Sequence, residues 1–215
     1  MKIIIYLYYF FRSVFLRGLF NTLKLLTAEI SFEKKFGIKT SVIKRSASKE
    51  FFNYQGAGYN VLLRIFSEIS ETTKGFDFVD IGCGKGRAVF VAEYCGYDQL
   101  TGIELDEELI KDASRNTELY VFKRKESSIN FIHVNALEYE YKNKPTIYFL
   151  FNPFNEEIMK KVLNRIVALS SSETWFVYMN PLYPKPFKEK GIPCIKEIKT
   201  RFYKEAFIFR MNTGQ

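Results

Sequence analysis

The chain has 215 residues, of which 47% are hydrophobic, 26% charged and 17% aromatic. This length suits one domain with an appendage or two small domains, and the hydrophobic content excludes a disordered chain. The net charge of +8 arises almost entirely in residues 1–50, which hold ten basic and three acidic residues. The rest of the chain is nearly neutral, so we expect no broad phosphate-binding surface on it.

The first 28 residues predict a basic amphipathic helix. Met1–Ala28 contains nine consecutive apolar residues, which Arg12 and Arg17 then interrupt. Because a membrane span needs about 20 apolar residues, a transmembrane helix is not predicted. On a helical wheel the polar residues gather on one side, namely Lys2, Arg12, Ser13, Arg17 and Lys24.

Three interpretations of this amphipathic helix remain open. Its apolar side packs on the protein's own core, or it lies on an anionic membrane surface, or the segment is a signal or anchor. The membrane interpretation predicts a peripheral position on the inner membrane face. Phe32–Ser41 is then interpreted as a connecting segment, and we expect a domain boundary between residues 40 and 60. The spacing of apolar residues predicts a helix over Asn60–Ile69.

Short apolar runs and helical patterns alternate after residue 75, and three prolines at 181, 184 and 186 are expected to interrupt the chain. This alternation predicts a mostly parallel sheet covered by helices on both faces, with a hairpin at the C-terminus. The predicted strands are Phe76–Ile81, Leu100–Leu105, Ile129–Val134, Thr146–Phe151, Thr174–Met179, Ile195–Ile198 and Phe202–Met211. The predicted helices are Lys85–Cys95, Asp106–Lys123 and Asn155–Leu169.

Residue types that bind metals or form disulfides are scarce. The three cysteines show no CxxC spacing, and His133 is the only histidine. We therefore expect no metal site and no disulfide scaffold, and we expect a reducing, cytoplasmic compartment. His133 is interpreted as a structural histidine in preference to a general base.

A glycine-rich loop joins the first predicted strand to the following helix. Gly82, Gly84 and Gly86 let the backbone approach a ligand closely, and the helix N-terminus presents N–H groups. Glu104 ends the next strand, where an acid binds ribose hydroxyls in folds of this type. Arg87 stands where a dinucleotide fingerprint needs its third glycine, which makes a pyrophosphate ligand the weaker alternative.

The successive segments FVDIGCGKGR, GIELDEEL, NALEY and FLFNPF resemble the motifs of class I S-adenosylmethionine-dependent methyltransferases over residues 50–211. Together with the upstream segment FEKKFGIKT they are similar to a bacterial group of such enzymes without an assigned substrate, and more distantly to histone-lysine methyltransferases of this class. The resemblance implies a Rossmann-like α/β fold whose seven-stranded sheet has an antiparallel C-terminal strand. It also implies an arm and connector in residues 1–50 and a methyltransferase domain in residues 51–215.

The resemblance further implies S-adenosyl-L-methionine as the cofactor. Gly82, Gly84 and Gly86 would line its methionine part, and Asp80 would lie beside its amino group. Glu104 would bind the ribose hydroxyls. The remaining residues assigned to the cofactor site are Cys83, Leu105, Asn135 and Ala136, of which the last two would flank the adenine. The family more often has Asp at the position of Asn135, whose amide can still donate and accept hydrogen bonds.

The turn Asn152-Pro153-Phe154 follows the fourth predicted strand and resembles the Asn-Pro-Pro-Tyr/Phe motif of amine methyltransferases, without its second proline. The resemblance implies a nitrogen acceptor, with the Asn side chain and the Pro carbonyl accepting its hydrogen bonds and the aromatic ring packing on it. The simpler alternative is a strand-end turn with a core phenylalanine. The sequence leaves protein lysine, nucleic acid and a small amine open as acceptors. The aromatic residues considered for closing the pocket are Tyr54, Tyr59 and Tyr183, with packing roles favoured for all three.

Two other functions remain alternatives. An NAD(P)-linked oxidoreductase would use the same type of fold, although the spacing at Arg87 argues against it. A membrane-associated binding module with a vestigial cofactor pocket would explain the basic apolar arm, although Asp80, the glycines and Glu104 are all present. The leading prediction is therefore a methyltransferase.

Overall fold

In the computed structural model, residues 2–41 and 56–212 are described. The central element is a seven-stranded sheet in the order β3-β2-β1-β4-β5-β7-β6. All neighbouring pairs from β3 to β5 are parallel, and only β7 runs antiparallel to its neighbours on either side. The strands are β1 Asp77–Ile81, β2 Gln99–Glu104, β3 Ser128–His133, β4 Thr146–Phe151, β5 Thr174–Met179, β6 Cys194–Thr200 and β7 Tyr203–Met211. The predicted fold class is confirmed, including the C-terminal hairpin.

Helices cover the sheet and precede it. In the described residues they are α1 Lys2–Arg17, α2 Leu19–Phe36, α3 Tyr59–Ile69, α4 Arg87–Tyr94, α5 Glu107–Leu119, α6 Glu156–Leu169 and α7 Lys185–Glu189. The side chain of Asp106 accepts hydrogen bonds from the N–H groups of Glu108 and Leu109 and so caps α5. Asn155 caps α6 in the same way through the N–H group of Ile158.

The core lies on both faces of the sheet, because successive strand residues point in opposite directions. All six residues of β5 are buried. Trp175, Val177 and Met179 pack on the face that α3 and α4 cover. Phe176 and Tyr178 pack on the other face, under α6 and α7. This two-sided burial is why β4 and β5 are nearly continuous apolar runs, and both have the bounds predicted from the sequence.

Two predicted helices have clearly different bounds in the structure. The helix predicted from Lys85 begins only at Arg87, because the loop continues to Gly86, whose φ is +83°. The helix predicted to reach Lys123 ends at Leu119, since Tyr120 turns into the core and donates a hydrogen bond to the carbonyl of Phe90.

The prolines near residue 184 do not merely interrupt the chain. Pro186 lies in the first turn of α7, a position where a missing N–H group costs nothing. Phe32–Ser41 is not simply a connector, because α2 extends to Phe36 and ends at Gly37 with a φ of +76°. Phe36 and Ile38 are fully buried in the core. The predicted domain boundary falls mostly outside the described residues.

The predicted N-terminal helix is two helices, separated at Gly18 with a φ of +88°. The described helices include none long and apolar enough to cross a membrane. We call α1 and α2 together the arm. The second half of α2 packs on α3 and α4, and Ala28 and Phe36 belong to the core.

Candidate active site

The glycine loop after β1 has a backbone that other residues adopt only with strain. Gly82, Gly84 and Gly86 have φ values of +80°, +53° and +83°, in the left-handed region that favours glycine. The N–H groups of Gly82 and Cys83 both donate to the carbonyl of Ile103, at 2.9 and 3.0 Å. These two hydrogen bonds hold the loop against the end of β2, at the carboxyl edge of the sheet.

Two neighbours approach the glycine loop too closely for side chains. A Cβ atom on Gly82 would lie 2.8 Å from the Cβ of Pro153, and one on Gly86 would collide with the ring of Phe131. The loop therefore packs directly against the turn after β4 on one side and against β3 on the other. This contact brings the predicted cofactor loop and the predicted acceptor turn together.

Glu104 connects the glycine loop to the start of α5. Its carboxylate accepts a hydrogen bond from the N–H group of Gly84 at 3.0 Å and from the N–H groups of Leu105 and Asp106 at 2.8 and 3.0 Å. The side chain thus points from the end of β2 towards the loop. Leu105 is exposed beside it.

Asp80 lies beneath the loop, with only 3% of its surface exposed. Burial raises the pKa of its carboxyl well above the usual range, and the neighbouring negative charge of Glu104 raises it further. A buried carboxyl group next to a second carboxylate is a place where a cation is stabilised. A cationic ligand group beside Asp80 would relieve both effects.

Cys83 contributes backbone to the site and packs its side chain inwards. A Cβ atom on Gly102 would lie 2.8 Å from its Sγ, so the thiol sits directly on β2. Burial raises the pKa of this thiol well above its usual range, with smaller contributions from Asp80 and Glu104. The thiol is therefore neutral at physiological pH, which disfavours a nucleophilic role.

Asn135 and Ala136 follow β3 at the same edge. The Asn135 side chain accepts a hydrogen bond from the N–H group of Leu137 at 2.9 Å, and Ala136 is buried. His133 pairs with Glu104 in the register of β3 and β2. Its exposed ring bonds the carbonyl of Leu105 through Nε2 at 2.9 Å, which ties β3 to the turn after β2.

The predicted acceptor turn begins with a strained residue. Asn152 has a φ of +47° and is 95% buried, and its Oδ1 accepts a hydrogen bond from the hydroxyl of Tyr178 at 3.0 Å. That hydroxyl accepts in turn from the N–H group of Tyr183 at 3.2 Å. Tyr178 therefore positions Asn152, a role that the sequence reasoning missed. The signal available was a tyrosine inside an apolar predicted strand, because a buried hydroxyl needs a hydrogen-bond partner.

Phe154 lies in the core, with 4% of its surface exposed among the side chains under α6. Its ring therefore packs inside the protein, which agrees with the simpler alternative for that residue and leaves Asn152 and Pro153 at the edge. Tyr59 is also buried, as the favoured packing role requires. Tyr54 lies outside the described residues, and Tyr183 is half-buried beside Tyr178.

Arg87, the first residue of α4, is a second position that the sequence reasoning missed. Its guanidinium is 97% buried and lies 4.4 Å from the ring centre of Tyr59. It donates to both carboxylate oxygens of Glu29 on α2, at 2.9 and 2.7 Å. It also donates to Thr40 at 2.7 Å and to the carbonyl of Ala57 at 2.9 Å. Arg87 therefore joins the glycine loop to the arm.

A cavity of about 520 Å³ lies between α2, α3 and the β6–β7 hairpin. Arg17 and Lys24 of the arm line it, together with Arg64 of α3. None of the predicted site residues reaches this cavity. It belongs to the junction of the arm with the body.

No protein-family model matches the sequence, and a comparison with curated proteins also gives no match. Solved structures do match. A putative RNA methyltransferase from Pyrococcus horikoshii is 14% identical, with a TM-score of 0.60 over 87% of this chain and 97% of that one. A magnesium protoporphyrin IX methyltransferase from Synechocystis, solved with bound S-adenosylmethionine, is 15% identical, with a TM-score of 0.53 over 71% and 77%.

An S-adenosylmethionine-dependent methyltransferase from Clostridium acetobutylicum is 8% identical, with a TM-score of 0.54 over 73% of this chain and 92% of that one. At identities this low, the similarity shows the fold alone. The chain has the fold of the class I S-adenosylmethionine-dependent methyltransferases.

Proposed function

We propose that the protein is an S-adenosyl-L-methionine-dependent methyltransferase. One observation carries this proposal, namely that Asp80 and Glu104 lie beside a left-handed glycine loop at the ends of two adjacent parallel strands. The cofactor carries a positive amino group and a positive sulfonium. The mutual repulsion of the two carboxyl groups, which helps to raise the pKa of Asp80, suits such a cation.

The residues present fit each part of this cofactor. The backbone of the loop from Gly82 to Gly86 would hold the methionine part, with Asp80 beside the amino group. Glu104 would hold the ribose hydroxyls, as an acid does at this strand end in related folds. Asn135 and Ala136 would flank the adenine. The cofactor supplies a methyl group already activated on sulfur, so the protein's task is to bind and orient.

We infer that the acceptor atom is a nitrogen. Pro153 packs directly on Gly82, so the acceptor turn lies next to the loop that would hold the reactive end of the cofactor. The Oδ1 of Asn152 has two lone pairs and uses one for Tyr178, so it can accept a second hydrogen bond from an amine. Tyr178 fixes the direction in which that oxygen points. The protein would work in the cytoplasm, where the cofactor and reduced thiols are present.

Ligand-dependent melting is the first test. We expect S-adenosylmethionine and S-adenosylhomocysteine to raise the melting temperature, because a ligand that binds only the folded state stabilises it. NAD(P)H should leave it unchanged. Stabilisation by NAD(P)H alone would instead favour an oxidoreductase and contradict the proposal.

The acceptor is tested with radiolabelled methyl transfer to cell fractions separated into protein, RNA, DNA, lipid and small molecules. Asn152→Gly is the informative variant, because glycine keeps the left-handed backbone while the amide is lost. We expect it to lower kcat about fivefold to tenfold, the value of one hydrogen bond, with unchanged cofactor affinity. Tyr178→Phe should act in the same direction and more weakly.

Two outcomes would count against a nitrogen acceptor. The first is a labelled product that carries its methyl group on oxygen or carbon. The second is a folded Asn152→Gly protein that loses cofactor binding together with activity, because Asn152 would then belong to the cofactor site. Activity equal to wild type in Asn152→Gly would also remove this residue from the mechanism.

A further inference from the structure

The arm exposes many large apolar side chains although part of it also packs on the body. Half of the large apolar side chains that are exposed in the described residues lie between Leu7 and Ile30. Amphipathic helices of soluble proteins normally turn their apolar side to the core. Here α2 does contribute Ala28 and Phe36 to the core, but the arm carries a second apolar side that faces outwards.

The polar side of the arm makes specific contacts. Arg17 donates to both carboxylate oxygens of Glu205 on β7, at 2.6 and 3.1 Å, and its guanidinium lies 3.8 Å from the ring centre of Tyr203. The hydroxyls of Ser13 and Thr22 hydrogen-bond each other at 3.0 Å, and Thr22 is fully buried. The Arg17 contacts join the arm to the β6–β7 hairpin, and the Ser13–Thr22 hydrogen bond joins α1 to α2. Together they fix the orientation of the two helices.

The outward side carries apolar residues at helical spacing. On α1 these are Leu7, Phe11 and Phe15, three residues that are half to two-thirds exposed. On α2 the corresponding residues are Leu19, Leu23, Leu26 and Ile30, of which Ile30 is 78% exposed. We call these seven side chains the outer stripe. The ring of Phe15 lies 6.0 Å from that of Phe202, an exposed residue in the β6–β7 turn, so the stripe continues onto the hairpin.

The charges beside the outer stripe are positive. Arg12 and Lys34 are exposed next to it, and Arg201 is exposed next to Phe202. The two acids between Lys2 and Ser41 are Glu29 and Glu33, and both form ion pairs with the buried Arg87. The outer stripe is therefore bordered by cations, while the arm's own carboxylates are neutralised on its inner side.

We propose that the outer stripe docks on an anionic phospholipid bilayer. Apolar side chains of this kind enter the boundary between head groups and acyl chains, and the surrounding basic residues pair with anionic lipids. The arm meets the body at the β6–β7 turn, beyond the carboxyl end of β5, where Met179 pairs with Ala206. Docking would thus hold the body by the same edge of the sheet that carries the candidate active site. This proposal does not depend on the proposed chemistry.

The test is sedimentation of the full chain with vesicles. We expect binding to vesicles of mixed phosphatidylcholine and phosphatidylglycerol and much weaker binding to phosphatidylcholine alone. Salt should weaken the binding, because surface charges are screened over about 10 Å at 0.1 M. Arg12→Gln with Lys34→Gln should reduce binding about fivefold per charge. The control Lys142→Gln with Lys144→Gln removes the same charge at the opposite edge of the sheet and should change binding little.

The apolar part is tested with Phe11→Gln combined with Ile30→Gln, which we expect to abolish detectable binding. Its control replaces two half-exposed leucines elsewhere on the surface, Leu119→Gln and Leu169→Gln, and should bind as wild type does. All variants should melt as wild type does, because the replaced side chains are exposed. Equal binding by the outer-stripe variant and its control would overturn the proposal.

A second copy of the chain is the competing occupant of the outer stripe. This alternative predicts that the full chain does not bind anionic vesicles and sediments as a dimer, and that the Phe11→Gln, Ile30→Gln variant is a monomer. Such a result would identify the outer stripe as a self-association interface and overturn the membrane proposal. A monomer that binds no vesicles would also overturn the proposal.

Discussion

Replacing Arg87 by methionine should destabilise the protein more than the loss of any exposed ion pair. Arg87 is 97% buried and donates to Glu29, Thr40, Ser41 and the carbonyl of Ala57 at 2.7 to 2.9 Å. Removing one partner of a buried ion pair costs about 3–5 kcal/mol, because the remaining charge loses its compensation.

The exposure of the carboxylates that pair with Arg87 decides whether the loss of stability lies near about 3 or about 5 kcal/mol. The side chains of Glu29 and Glu33 are 30% and 21% exposed, so water can solvate them once the guanidinium is gone. We therefore expect the lower end, about 3 kcal/mol of unfolding free energy. For a chain of this length that corresponds to a fall in melting temperature of about 6–12 °C.

Urea unfolding and calorimetry of Arg87→Met provide the assay, with Arg115→Met as the matched control. The Arg115 side chain is 73% exposed and pairs with Asp112, so its loss should cost less than about 0.5 kcal/mol. Arg87→Lys should be intermediate, since it keeps the charge and loses the fork geometry. If Arg87→Met unfolds at the same urea concentration as the control, the network around Arg87 does not stabilise the fold as we argue.

Two further predictions concern the site. Gly82→Ala should lower the free energy of unfolding by about 1–2 kcal/mol and weaken cofactor binding, because a Cβ atom 2.8 Å from Pro153 has to displace the acceptor turn. The control Gly75→Ala, also at positive φ but with open space around it, should leave binding intact. Equal cofactor affinities for both variants by calorimetry would contradict this prediction. Burial raises the pKa of Asp80 in the folded protein, so its carboxyl group destabilises the ligand-free protein as the pH rises above the pKa of the unfolded state. A cation that binds beside Asp80 should release its proton, and cofactor affinity should therefore increase with pH. Calorimetry in buffers of different ionisation enthalpy measures that proton, and Asp80→Asn should abolish both its release and the pH dependence; proton uptake on binding would refute the assignment.

The sequence predicts the central part of the fold well because parallel strands buried on both faces are continuous apolar runs. Thr146–Phe151 and Thr174–Met179 have the predicted bounds for that reason. Helix ends depend on tertiary contacts that no local pattern contains. Tyr120 ends α5 because its hydroxyl shares its one hydrogen between the Glu93 carboxylate at 2.7 Å and the carbonyl of Phe90 at 3.0 Å. Those partners lie about 30 residues away in the chain.

The same limit applies to Arg87. In the sequence it appears only as a departure from a dinucleotide fingerprint, and its acidic partner Glu29 lies 58 residues upstream. The segment FEKKFGIKT carried a signal, since it supplies Glu33 and Thr40 to Arg87 and the buried Phe36 and Ile38 to the core. Its glycine, Gly37, ends α2 in the left-handed conformation. These contacts explain the motif, and they could be identified only from the folded structure.

The orientation of the arm on the body could not be predicted from the sequence either. A helical wheel shows that one side is polar and the other apolar, but it does not show which of them meets the body. Arg17 reaches Glu205, a residue 188 positions away, and Ala28 and Phe36 enter the core, which leaves the outer stripe exposed. Glu104 and the glycine loop, by contrast, were predictable as neighbours, because the carboxyl ends of adjacent parallel strands meet at one edge.

Cofactor affinity measured by calorimetry for wild type and Glu104→Gln tests the central claim most directly. The wild type should bind S-adenosylmethionine, and Glu104→Gln should bind it about tenfold to a hundredfold more weakly, the value of hydrogen bonds to a charged group. Glu157→Gln, which changes an exposed glutamate on α6, should bind as wild type does. Wild-type affinity in a folded Glu104→Gln protein, or no binding of S-adenosylmethionine by the wild type, would contradict the account.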